Sequence, residues 1–392
     1  MFPEKSSFTM RMKFPPRKRW TRTEKWLLGA PVLVALFAWA MQVEPDLVRR
    51  KRGLPRELPT SATTDVAGIA LSRDGTLLAA GGYVTRPQTT VNTVDLWNAK
   101  DLRALAPLSR PVLGPSGIDP GTRSVALSPD GRLIAYIASV STRNLQIFDR
   151  HTQKNLWQSP SYVSDFRFSP DGRLALHDSR GTYRIFDAAN RRPLTAWRPS
   201  PAPGGTALEF SLDGQVLASV AGRPTWKVWT ANPNKSGGEI ELRDTKTWRI
   251  KRTLPLPNTS SIAISPDGTM VAGVAHIFHL PFNANYDGSI LRCFSSGNGQ
   301  LLWQKDTRDK KTAGELRAFS DACFSPDNSS LCLLCYDHLF LLDAKTGQIQ
   351  RTLSIPANQV SNSSLPHAIA FSPDGKRLFA RGKNAVLVWD LE

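Results

Sequence analysis

Histidine and cysteine are scarce in this 392-residue chain, six and four respectively. None of the four cysteines shows zinc spacing, and none lies in the Cys-His pair that haem attachment needs. Cys332 and Cys335 are spaced like a redox pair, but they fall in an apolar strand pattern, where residues three apart point to opposite faces. They and Cys293 are read as buried and inert. Cys323 and Cys332 flank one turn and are expected to be cross-strand neighbours, which an exported protein would be able to join. The chain also lacks a P-loop, a Gly-x-Ser-x-Gly elbow, a dinucleotide fingerprint and a His-Glu-x-x-His helix. His276 and His279 come nearest to a ligand pair, without an obvious third ligand, and His151, His177, His338 and His367 stand singly. No catalytic residue, cofactor or metal is expected.

Acidic side chains are also few, 33 against 50 Lys and Arg, for a formal charge of +17. Residues 1–60 hold 13 basic and 5 acidic side chains, leaving 37 against 28 for the rest. Such a balance permits contact with anionic surfaces. The charges are scattered, however, and no nucleic-acid-binding motif accompanies them, so nucleic acid is not the expected partner.

Long apolar runs are limited to one, WLLGAPVLVALFAWAMQV at 26–43, long enough for a single transmembrane helix. A basic tail at 1–25 precedes it and a basic linker at 44–53 follows; RRKRG within the linker suits a membrane surface or a solvated connection. The heavier basic flank is N-terminal, which places that end in the cytoplasm and the remainder outside it. The alternative is export with cleavage near Ala40, after the small-x-small triplet Ala38-Trp39-Ala40.

What is abundant is a repeat. LSRDG, LSPDG, FSPDG, FSLDG, ISPDG, FSPDN and FSPDG place their aspartates at Asp74, Asp130, Asp171, Asp213, Asp267, Asp327 and Asp374. Serine, proline, aspartate and glycine in that order match a type I turn, flanked by short apolar strands such as SVAL and LIAYIA. A third strand follows (VDLW, LQIFD, VLVWD) and, after a second turn, a fourth (DAKTGQIQRTL). Four antiparallel strands repeated seven times predict a seven-bladed β-propeller over 54–392, all-β apart from the preceding helix. The last repeat ends at VLVWDLE without a fourth strand, and LPRELP at 54–59 is placed to supply it.

The turn set, VWD at 388–390 and DLWNAKDL at 95–102 resemble WD40 repeats of the YVTN-like superfamily, although no Gly-His dipeptide occurs. The resemblance implies a non-catalytic scaffold for protein partners. SSGNGQLLW (295–303) and DRHTQKNLW (149–157) resemble corners of quinoprotein dehydrogenases, so a propeller enzyme of that type or of lactonase type is the alternative.

Insertions collect at 83–92, 107–121, 222–238, 276–288, 304–319 and 354–367. These are alternate connections of an up-and-down blade, so they share one face, and confined variation marks a binding surface. The candidates there are Arg86, Arg110, Trp226, Lys235, His276, Phe278, Phe282, Tyr286, Arg308, Lys310, Lys311 and Arg317. The seven turn aspartates are read as structural.

Overall fold

The computed structural model describes residues 53–61, 66–85, 90–112, 124–137, 144–178, 180–199, 207–221, 238–256, 258–279, 285–309, 312, 316, 318–360 and 368–392. These belong to the unit Arg52–Glu392. The basic tail, the apolar run 26–43 and the linker up to residue 52 lie outside the described residues, among which no helix is long and apolar enough to cross a membrane.

Alternating apolar residues between tight turns form antiparallel strands throughout, arranged as five four-stranded sheets and one of seven strands. The first repeat is typical: Gly68–Leu71, Leu77–Thr85, Thr90–Asn98 and Leu108–Val112 pair in chain order. The seven-stranded sheet arises because nothing interrupts residues 154–168. The single strand Lys154–Phe168 pairs first with Asn144–Asp149 and then, from Val163 onward, with Arg173–Asp178. The second repeat therefore runs into the third without a loop.

The first strands of successive repeats touch in chain order, and Ile369–Phe371 touches Gly68–Leu71, so the row closes on itself. Apolar residues fill the spaces between sheets instead of one central core. One such cluster joins Phe379, Val386 and Val388 of the last repeat to Ile69, Leu78 and Trp97 of the first. This β-propeller-like arrangement buries both faces of every sheet, which a lone sheet cannot do.

Closure is made by the segment just before the first repeat. Arg56–Pro59 pairs antiparallel with Ala385–Asp390, in the place anticipated for LPRELP. Trp389 Nε1 donates to Gly53 O at 2.9 Å, and Gln359 Nε2 to a Glu57 oxygen at 2.8 Å.

Candidate functional site

The repeated turn is built identically around each serine. Ser72, Ser128, Ser211, Ser265, Ser325 and Ser372 donate their hydroxyls to the aspartate two residues on at 2.5–2.6 Å, as does Ser169 to Asp171. The same hydroxyl accepts a backbone N–H from the next strand, such as Leu77 N at 2.9 Å. The fourth turn position has positive φ, +66° at Gly75 and +62° at Asn328, which glycine and asparagine tolerate best. Hydroxyl and backbone donors hold Asp327 and Asp374 below the usual carboxylate range. At Asp74, Asp130 and Asp267 partial burial acts upward, and the same donors outweigh it. Every oxygen engaged this way stabilises the hairpin, which accounts for the repetition of the motif.

On the opposite face, several segments expected as loops are strand. Leu77–Thr85 and Thr90–Asn98 stay in register to Thr85↔Thr90, and Met270–His279 with Asn285–Ser295 to His279↔Asn285. Alternating β-branched and aromatic residues carry these hairpins well past the point where the sixth and seventh repeats turn. Leu108–Val112 is strand too.

Of the twelve candidates, Arg86, Trp226, Lys235, Phe282, Lys310, Lys311 and Arg317 lie outside the described residues. Arg110, Phe278 and Tyr286 lie on strands. His276 is half-buried within a strand, its Nδ1 3.2 Å from Ser289 Oγ, and burial lowers its pKa. Arg308 folds back on Asp306, with Nε at 3.0 Å and Nη2 at 2.7 Å from its carboxylate oxygens. The described members thus stand on two repeats, Arg110 on the first and the other four on the fifth or directly after its last strand.

The cysteine expectations are resolved by packing. Cys323 and Cys332 are direct register partners, both free thiols. Cys332 packs between the sixth and seventh repeats and Cys335 between the fifth and sixth, on opposite sides of their sheet.

The repeated turns also surround a cavity of about 420 Å³ on the axis, to which all seven repeats contribute. The residue before each repeated serine forms its collar: Leu71, Leu127, Phe168, Phe210, Ile264, Phe324 and Phe371. Two residues before the serine the side chains are Ala70, Ala126, Arg167, Glu209, Ala263, Cys323 and Ala370. Only the third and fourth repeats are charged there, and they pair, Arg167 Nε lying 3.3 Å from Glu209 Oε2. Glu209 lines the cavity, and burial raises its pKa despite the arginine. Arg73, standing where most turns have proline, reaches over to donate to Pro170 O at 3.3 Å.

Four residues before the serine, Asp165 and Asp321 stitch neighbouring repeats together. Asp165 accepts Leu208 N–H at 3.0 Å; Asp321 accepts Ala368 N–H at 2.7 Å and the Ser261 hydroxyl at 2.5 Å. Burial pushes Asp165 up to about 7 and raises Asp321. None of these four charged residues was singled out by motif. Stacking the repeats on their serines exposes them, because each breaks a column of alanine, cysteine, serine or glycine.

No family model matches the chain, and no curated protein matches it. Among solved structures, the chain is similar to the Kuenenia stuttgartiensis hydrazine synthase, at 15% sequence identity and a TM-score of 0.58. The match covers 84% of this chain and 97% of that one. At that identity the likeness is one of fold.

Proposed function

We propose that this chain is a seven-bladed propeller of WD40 type, anchored by a helix at 26–43. It acts as a non-catalytic platform that holds a protein partner on the face carrying its long connections. The observation that carries the reading is the asymmetry between the two ends of the sheets. One end bears the same serine–aspartate turn seven times, whereas at the other the connections range from 382–384 to 222–238. Identical turns on one side and divergent ones on the other are how a repeat scaffold separates folding from recognition. The closed row of first strands supports the blade count.

The test replaces 222–238 and 361–367 by short turns and compares proximity labelling from the intact chain. Loss of the labelled partner with an unchanged unfolding midpoint supports the reading; unchanged labelling refutes it. A reporter fused after Glu392 reads topology in the same cells: a periplasm-active reporter in the membrane fraction is expected. Activity in the soluble fraction would instead establish cleavage near Ala40.

A propeller enzyme of quinoprotein type is the second reading, favoured by one contact. Trp303 Nε1 donates to Ala344 O of the next sheet at 2.9 Å, the inter-sheet docking that its Gly-rich corner resembles in sequence. Quinone absorption or bound calcium in purified protein would favour it.

A further inference from the structure

We propose that the axial cavity on the repeated-turn side is a binding site for a small organic monocation, an ammonium or guanidinium group on an apolar body. The Arg167–Glu209 pair is the first reason. In the five other repeats the same position is alanine or cysteine, so the fold closes around its axis without charge there. A largely buried ion pair contributes little stability and often less than an apolar replacement, so its presence at two adjacent repeats calls for a role beyond packing.

The second reason is the sign of the site. Glu209 accepts from Arg167 through Oε2, and it is the Glu209 carboxylate, not the Arg167 guanidinium, that lines the cavity. Asp321 adds to the negative field acting on Glu209. Glu209 is the acidic residue of the lining and Arg73 the basic one, whose guanidinium donates to Pro170 O. A cation entering the cavity gains a charge-assisted hydrogen bond to the Glu209 carboxylate.

The third reason is shape. The apolar collar encloses a volume within the range of small-ligand sites. An ammonium at Glu209 leaves an aliphatic or aromatic body against the collar, whereas an inorganic cation would leave it bare.

Calorimetric titration of the full chain in neutral detergent with phenethylammonium tests the assignment. Saturable one-to-one binding is expected, at least about tenfold tighter than for the neutral 3-phenylpropanol, the value of one charge-assisted hydrogen bond. Glu209→Gln is expected to lower affinity by about the same factor. Its unfolding midpoint is recorded alongside. Because that variant disturbs Arg167 as well, Ala370→Phe, which narrows the wall and keeps the ion pair, is expected to abolish binding independently. Absence of saturable binding, equal affinity for the alcohol, or preference for 3-phenylpropionate would overturn the proposal.

Discussion

At the scale of single residues, the decisive groups are those that satisfy a neighbour's backbone. Asp321 accepts from Ala368 N–H and the Ser261 hydroxyl, three repeats meeting at one carboxylate. Asp321→Ala leaves two buried donors without partners and is expected to cost about 2–4 kcal/mol in denaturant unfolding, with Asp321→Asn losing clearly less. If the two variants unfold alike, the stitch is not the source of stability. Gly347 illustrates the other kind of constraint. Its φ is +69°, and a Cβ there would sit 2.7 Å from the Trp303 ring. Gly347→Ala is expected to destabilise by about 1–3 kcal/mol. An unchanged midpoint would show that the Trp303 corner yields freely. The turn aspartates were legible from sequence because serine, proline, aspartate and glycine act within five residues. Asp165, Asp321, Arg167 and Glu209 were not, since their partners lie one repeat away.

At the scale of elements, the sheets are held to one another by cations at their outer corners. Arg173 Nη1 donates to Thr245 O at 2.8 Å, Arg252 Nη1 to Asn298 O at 3.0 Å and Arg351 Nη1 to Leu391 O at 2.9 Å. Arg377 makes the equivalent reach across the closure, to Ala99 O and Lys100 O at 3.0 and 2.7 Å, while its Nε holds Asp390 at 3.3 Å. Part of the basic excess is therefore spent inside the domain. The closing strand is the other latch. Deleting residues 54–60 removes four register pairs and the buried Leu58, and is expected to lower the unfolding midpoint by about 5–10 °C. A midpoint equal to that of the intact chain would mean that the last sheet is stable with its edge open. The sequence placed this strand correctly but took 276–288 for a loop. A long hairpin and a loop both begin with alternating polar and apolar residues, and the register that separates them is a cross-strand property.

At the scale of the whole molecule, two carboxylate populations act in opposite directions with pH. Asp165 is held up to about 7 when folded, against 3.8 for a free aspartate, so folded protein takes up a proton before the unfolded chain does. Its share of stability therefore grows as pH falls from about 7 towards 4. Asp327 and Asp374 are held low, so the stability they give is present at neutral pH and lost as pH falls through the aspartate range. The unfolding midpoint is expected to peak in mild acid, about pH 5–6, and to drop below about pH 4. Asp165→Asn should remove the rise on the neutral side. A wild-type midpoint climbing steadily from pH 5 to 8 would contradict this balance.

The sequence by itself determined the repeat, its turn chemistry, the all-β class and the segment that closes the domain, because each follows from contacts short in sequence or from a pattern restated seven times. Only the tertiary structure decided that Lys154–Phe168 serves two repeats, that Cys332 and Cys335 face different neighbours, and that one charged pair interrupts a column of small side chains on the axis. Those facts depend on which repeat stands beside which, a relation set by packing between sheets and carried by no local run of residues.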